Sequence, residues 1–422
     1  MSKGARAGAS SVGSAPQVRA RGSGLPGGSF RWIVGIENAF IPDMDVDELG
    51  WTRHRTRWRE DLALAVEVGA DAIRYGITWP EVETSPGRYD WPRVDEVVEE
   101  CSRLGLEPIW DLVHFGVPAY LQDGYLDAAF PAAFAAYAEA FAKRYSGIVS
   151  KVTPWNEPYI STYFRAGWGI WPPYLKGREG FATLFAPLIT ALHDGIGRMR
   201  AVAPTMQVWL NDGADSFHPV RPAVAAEAAF RTLQRYAPFD VLLGLAVPGN
   251  ETHDWLVAAG FPRDTLERLA QAPVHIDVLG LDYYPDTEHD FDVDANGRTH
   301  IVKATRASGL AATALAYHQR YQRPIFVAES STSGTDAERR AWLDWNAAEI
   351  AKARAQGVDV LGYTWWPLFD HIDWNTLLQE RTGFVCPAGL YHLTPTTADR
   401  TPTAAVDEFR LLARGVGAAE TP

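Results

Sequence analysis

Two short segments carry the residues best suited to bond-breaking chemistry: Thr153-Pro154-Trp155-Asn156-Glu157-Pro158 and Ile325-Phe326-Val327-Ala328-Glu329-Ser330. Each closes an apolar, strand-like run with a glutamate. They lie far apart in the chain and therefore on different structural elements. Two carboxyl groups facing each other roughly 5 Å apart can cleave a glycosidic bond with retention of configuration, one as proton donor and the other as nucleophile. A lone glutamate at a strand end is ordinarily solvated or ion-paired. Glu157 stands in a tight Trp-Asn-Glu-Pro context and Glu329 follows a buried-strand pattern, so both are candidate catalytic residues.

Elements that could bring the two together are visible along the chain. Apolar, strand-like runs occur at Trp32–Ile36, Ala72–Ile77, Glu107–Val113, Val152–Trp155, Gln207–Leu210, Val278–Tyr284, Ile325–Ala328 and Val360–Trp365. Helical patterns separate them at Arg57–Val68, Trp91–Leu104, Ala132–Ser146, Gly180–Val202, Ala223–Tyr236, Asp264–Ala272, Ser308–Tyr321 and Asp336–Gln356. Gly69 and Gly105 fall at helix ends just before strands, as helix-to-strand loops require. Alternation of this kind predicts a parallel sheet. Eight such units predict an α/β fold, a single (β/α)8 TIM barrel with extended strand-to-helix loops. The first strand is not followed by a glycine-rich dinucleotide fingerprint, which disfavours an open sheet. Loops at 115–131, 156–179, 212–222 and 285–307 are expected to wall the site, with extra helical structure over Phe239–Ala246 and Thr252–Phe261.

Composition bounds the partners. Of 422 residues 47% are hydrophobic, enough for a large core, and the net charge of −13 argues against nucleic acid and anionic membrane surfaces. Sixteen Trp and sixteen Tyr are accounted for by core filling, although sugar rings also stack on such faces. The two cysteines, Cys101 and Cys386, have neither zinc nor redox spacing, and the histidines show no metal-ligand spacing, so no metal and no cofactor are expected. Residues 1–29, rich in Gly, Ser, Ala and Pro, read as a disordered tail without an apolar signal core, which predicts a cytoplasmic protein. The catalytic domain is expected over 30–415, with a C-terminal tail over 416–422. The segment Asp292-Val293-Asp294-Ala295-Asn296-Gly297 mimics the start of a calcium loop, but Lys303 stands where a bidentate glutamate is needed, so a hairpin turn is expected.

Six segments in order resemble glycoside hydrolase family 1, the β-glucosidase and β-glycosidase family within the clan of barrel glycosidases with catalytic glutamates on strands four and seven. They are Phe30–Trp32, Ile73–Trp79, Leu112–Pro118 with its His-x-x-x-Pro ending, the Asn-Glu-Pro of 156–158, Gly280–Tyr284, and the long run Gly362–Trp374. The resemblance extends from about Phe30 to Leu393. It implies that Glu157 is the general acid/base and Glu329 the nucleophile. It further implies that Arg74 and Tyr284 attend the nucleophile and that Asn156 holds the sugar 2-hydroxyl. His114 and Asp282 then belong to the substrate site, Trp366 forms a platform under the ring, and Asp373 and Trp374 read the outer hydroxyls. Trp365 is expected to point away and pack.

Four positions depart from the family pattern. Asp373 stands for the usual Glu, Asp282 for the usual Asn, Glu37 or Asn38 for the usual Gln of the first strand, and Ser-Ser-Thr follows Glu329 in place of Asn-Gly. Three of these bear on sugar reading and none removes a catalytic glutamate. The expected function is therefore a retaining β-glycosidase acting on a small glycoside by double displacement. A transglycosidase using the same glutamates with another acceptor, or a non-catalytic sugar-binding barrel, are the alternatives. Oligomeric state is not legible.

Overall fold

The computed structural model describes residues 30–415 apart from 295 and 297. The tails expected at 1–29 and 416–422 lie outside the described residues. Eight strands close into a parallel barrel: β1 Arg31–Gly35, β2 Ala72–Gly76, β3 Glu107–Asp111, β4 Lys151–Thr153, β5 Gln207–Gly213, β6 Val278–Asp282, β7 Ile325–Ser330 and β8 Val360–Trp365. Each pairs with its sequence neighbours, and β1 pairs with both β2 and β8 to close the ring. This is the expected (β/α)8 barrel.

Strand alternation sorts the side chains. Ile33, Ala72, Ile109, Trp209, Val278, Phe326 and Ala328 fill the barrel interior as one apolar cluster. The intervening residues, among them Ile73, Trp110, Val152, Leu210, Leu279, Leu281 and Val327, join the larger layer between barrel wall and helices. The helices have signals that the sequence carries. Pro92–Leu104 begins on a proline and stops at Gly105, whose φ of 66° closes the helix. Asp336–Ala355 opens with a capping box between Thr335 and Glu338.

Several strand ends differ from expectation. β2, β3 and β6 stop at Gly76, Asp111 and Asp282, before Ile77, Val113 and Tyr284, because the chain leaves the ladder at the barrel rim even where it stays buried. β5 runs three residues past Leu210. Asn211, Asp212 and Gly213 continue the ladder opposite Gly280, Leu281 and Asp282. Two polar residues looked like a strand end; their side chains find partners on either side of the barrel wall. The loops expected at 212–222 and 285–307 meet as a small sheet of Ser216–Pro219, Glu288–Val293 and Thr299–Lys303. Its antiparallel pair is the hairpin expected in place of a calcium loop, although Ala295 and Gly297 of its turn are not described. The extra helices form at Ala237–Leu242 and Glu251–Ala258. No helix among the described residues is long and apolar enough to cross a membrane.

Candidate active site

Above the apolar barrel interior lies a polar layer. Continuing the inward alternation gives Arg74 on β2, Asp111 on β3, Asn211 on β5 and Asp282 on β6, all buried. Glu329 reaches this layer by a different route. Phe326 and Ala328 already point inward, so strict alternation would send Glu329 out toward the helices. A register shift between Val327 and Glu329 against β6 re-aims it into the barrel. Glu157 follows the short β4 in a left-handed backbone conformation, φ 48° and ψ 65°, at the start of the helix Pro158–Thr162. The preceding residue is tied to the segment that follows β3 by Asn156 N–H donating to the Val113 carbonyl at 2.9 Å.

The result is a trio. One carboxylate oxygen from each of Glu157, Asp282 and Glu329 lies within 4.8 Å of the other two. Glu329 is the best partnered of them. Arg74 Nη1 donates to its Oε1, and the Tyr284 hydroxyl donates to its Oε2 at 2.9 Å. Arg74 Nη2 is shared among Asp111 at 3.0 Å, Asn156 Oδ1 at 2.6 Å and Asn211 Oδ1 at 3.3 Å. Asn211 Nδ2 in turn donates to Asn156 Oδ1 at 2.8 Å and Asp282 Oδ2 at 2.6 Å. Asp282 Oδ1 is buried without a protein partner. The trio is the described acidic grouping with donor atoms close enough to share a metal ion, but Arg74 already supplies a cation on Glu329.

Electrostatics separates the two glutamates. Burial, then the charges of Asp282 and Glu329, push Glu157 well above the usual carboxyl range. Burial also raises Glu329, but the Arg74 guanidinium and His114 oppose it, so Glu329 ionises first. Asp282 is raised well above its ordinary value by burial and by the charge of Glu329. Three carboxyl groups this close do not ionise together, and the ion-paired Glu329 ionises before Glu157.

The wall beside the trio is aromatic and charged. The Trp366 ring stacks on His114 at 5.5 Å between centroids, with the Arg74 guanidinium over it at 4.9 Å. Trp366 has room there because Gly35 lacks a Cβ, which would overlap the ring. Trp365 points away and is fully buried, with Nε1 donating to the Ala388 carbonyl. Glu37 takes the position that Glu37 or Asn38 was expected to fill. Its carboxylate accepts from Trp366 Nε1 at 3.1 Å and from Ala39 N–H at 2.8 Å, while Asn38 packs against Gly76. Although burial raises the Glu37 pKa, His371 and His114 outweigh it and hold it at about 2. His114 Nδ1 lies 2.7 Å from Asp111, and Nε2 lies 3.3 Å from Asn156 Nδ2. Burial disfavours the charged imidazole, but Asp111, Glu37 and Glu329 together raise its pKa. Trp374 packs near Phe115, Trp171 and His371 and keeps a buried Nε1–H without a protein acceptor.

Asp373 requires a correction. It was expected to read sugar hydroxyls. Its carboxylate instead accepts from the N–H groups of Thr382, Gly383 and Phe384 and from the Thr382 hydroxyl. A side chain this short folds back on its own loop, and the four bonds anchor 382–384. Asp111, Asn211 and Asp212 were not singled out from the sequence. Asp111 follows Ile109 with the same two-residue spacing that separates Arg74 from Ala72 on β2, a period-two signal that could have marked it. Asn211 and Asp212 lie beyond the predicted strand end at Leu210.

A closed (β/α)8 barrel bearing opposed carboxyl groups at the C-terminal ends of β4 and β7 defines a barrel glycosidase. The chain belongs to glycosyl hydrolase family 1, whose model matches residues 45–286, and is thus a glycoside hydrolase acting on O-glycosyl bonds. It is 24% identical to a β-glucosidase of Agrobacterium sp., over 79% of each chain. It is likewise 24% identical to the 6-phospho-beta-glucosidase AscB of Escherichia coli, over 86% of this chain and 85% of that one. The solved family 1 β-glucosidase of Thermotoga maritima superposes with a TM-score of 0.80 at 17% identity, covering 94% of this chain and all of that one, a likeness of fold.

Proposed function

We propose that the protein is a retaining β-glycosidase that hydrolyses a small β-glycoside by double displacement, with Glu157 as acid/base and Glu329 as nucleophile. The observation that supports this is the apposition of the two carboxyl groups within 4.8 Å, nearer the retaining spacing of ~5 Å than the ~6.5–9.5 Å that leaves room for an inverting water. The unequal surroundings of the pair supply the roles. Glu157 keeps its proton and gives it to the departing glycosidic oxygen as the C1–O bond breaks. Glu329, ionised beside Arg74 and oriented by Tyr284, forms a C1–O bond to the sugar. Glu157, now a carboxylate, takes a proton from water as that water attacks C1. The C1–Oε bond to Glu329 breaks in that same displacement, returning its electron pair to the Glu329 carboxylate, and the free sugar leaves. His114, Asn156, Asp282, Trp366 and Trp374 line the glycone pocket in this reading. Trp366 offers its ring as a stacking face and Trp374 its free N–H as a hydroxyl donor.

The test is hydrolysis of a panel of fluorogenic α- and β-glycosides by the wild type and by Glu329→Gly. A β-glycoside is cleaved by the wild type. The variant loses at least about 10⁴-fold in kcat, in keeping with removal of a covalent nucleophile, and azide restores turnover with an α-glycosyl azide as product. Wild-type protein that cleaves only α-glycosides, or azide rescue that yields the β-azide, overturns the assignment. Sugar transfer to an added alcohol in preference to water turns the reading to a transglycosidase.

A further inference from the structure

We propose that Asp212 and Gly213, at the end of β5, are positioning residues that hold the acid/base turn from the neighbouring strand; the proposal rests on the reading of Glu157 given above. Glu157 has a left-handed backbone although it is not glycine, at φ 48°. That conformation is unfavourable for an L-residue and persists only where the surroundings over-determine it. The helix it opens, Pro158–Thr162, receives no cap from the Glu157 side chain. Its free donors are taken instead by Asp212. Tyr159 N–H donates to Asp212 Oδ2 at 2.7 Å, and Ile160 N–H donates to Oδ1 at 3.3 Å. Gly213 N–H donates to the same Oδ1 at 2.9 Å and fixes the carboxyl group in place. Pro158 has no N–H to satisfy. The Asp212 side chain is fully buried, so these bonds cannot be replaced by bulk water.

Gly213 provides an independent second observation. A Cβ there would lie 2.6 Å from Ile160 Cγ1 and 2.7 Å from its Cδ1. The helix therefore rests directly on the β5 backbone, and a side chain at 213 would push it away. The alternation of β5 gives this arrangement its logic. Asn211 faces into the barrel and donates to Asn156, while Asp212 faces out and caps the helix after Glu157. Two consecutive residues of β5 thus grip the segment after β4 from opposite sides of the barrel wall, Asn211 at Asn156 and Asp212 at Tyr159 and Ile160. Burial raises Asp212 well above its ordinary value, and in its ionised form it adds to the charges that keep Glu157 protonated, which couples position to proton affinity.

The experiment uses the full chain and aryl β-glycosides with graded leaving groups. For Asp212→Ala, kcat/KM falls by about 10²-fold on methoxyphenyl glycosides, the loss expected when a general acid is displaced by about 1 Å. On dinitrophenyl glycosides, which leave without a proton, the loss stays within about 5-fold, and the alkaline limb of the pH profile moves to lower pH. Gly213→Ala shifts the same way, and adding Ile160→Ala to it restores activity on the poor leaving groups. Asp212→Asn, which keeps one acceptor oxygen, falls between. Equal losses on all leaving groups with an unchanged pH profile overturn the proposal. So does a double variant no better than Gly213→Ala. If Asp212→Ala does not fold, Asp212→Asn and Gly213→Ala decide. A readout independent of turnover separates this from the function itself: the Glu157 carboxyl is titrated by 13C NMR in wild type and Asp212→Asn. A shift to lower pKa supports the proposal even if no panel glycoside is cleaved. Identical titration curves overturn it even if hydrolysis is established.

Discussion

Asp282 is the residue whose chemistry most distinguishes this site. It places a third carboxyl group between the proposed acid and nucleophile, with one oxygen held by Asn211 and the other unpartnered. After burial, its charge is the first contribution that raises Glu157. Glu157 must be protonated to act, so its pKa sets the alkaline limb of activity. Replacing Asp282 with Asn keeps the shape and removes the charge. The alkaline limb of kcat/KM then moves to lower pH, because the charge that opposes ionisation of Glu157 is gone. The measurement is a pH–rate profile of Asp282→Asn beside wild type. An unmoved alkaline limb means that Asp282 carries no charge when Glu157 titrates. Arg74 and Tyr284, inferred by resemblance, contact Glu329 as expected, whereas Asp373 is committed to its own loop. Contact geometry separated these cases; residue type did not.

At the scale of elements, close approaches decide the site. β1 meets the segment after β8 so tightly that Gly35 is the only residue type whose backbone leaves room for the Trp366 ring. Gly35→Ala forces the ring out of its stack on His114, or forces β1 outward. Overpacking of this kind costs roughly 1–3 kcal/mol. The expected outcome is a stability loss in that range by denaturant titration, together with a rise in KM for the glycoside. A variant as stable and as active as wild type would show that Trp366 has slack in its seat. The bulge in β7 is the second such device. Without it Glu329 would face the helices, and no residue-level property of the segment Ile325–Ser330 announces the inversion. The third is β5, where Asn211 and Asp212 were legible as polar residues but their part in the ladder was not.

For the whole molecule, charge constrains what can be read in the glycone pocket. The chain carries a net charge of −13, and the cations at the site are already paired: Arg74 with Glu329 and Asp111, His114 with Asp111, and His371 with Glu37. Among the described residues, a phosphorylated glycone would meet this field without a free cation at the site to receive it. Neutral β-glycosides are therefore preferred over their 6-phospho counterparts by at least about 10²-fold in kcat/KM. The preference narrows as salt is raised from low to physiological strength, where the screening length drops to ~8 Å. Steady-state kinetics on a matched pair of aryl glycosides measures it. A preference for the phospho-sugar would mean that a loop arginine serves the site.

The sequence by itself determined the architecture, because eight apolar runs separated by helical patterns have one compact parallel solution, and that solution puts strand ends on a common face. It also singled out the two glutamates proposed as acid/base and nucleophile, since both end such runs. Only the tertiary structure decided how the side chains are aimed and shared. Glu329 faces inward because of a bulge, Glu157 is held in a left-handed turn by a carboxyl group from another strand, Asp373 turns back on its loop, and Glu37 rather than Asn38 meets Trp366. The physical reason is common to all four. Strand periodicity and local propensity act within a few residues, whereas the direction of a buried polar side chain is set by the partners available to satisfy it, and those partners lie on other strands.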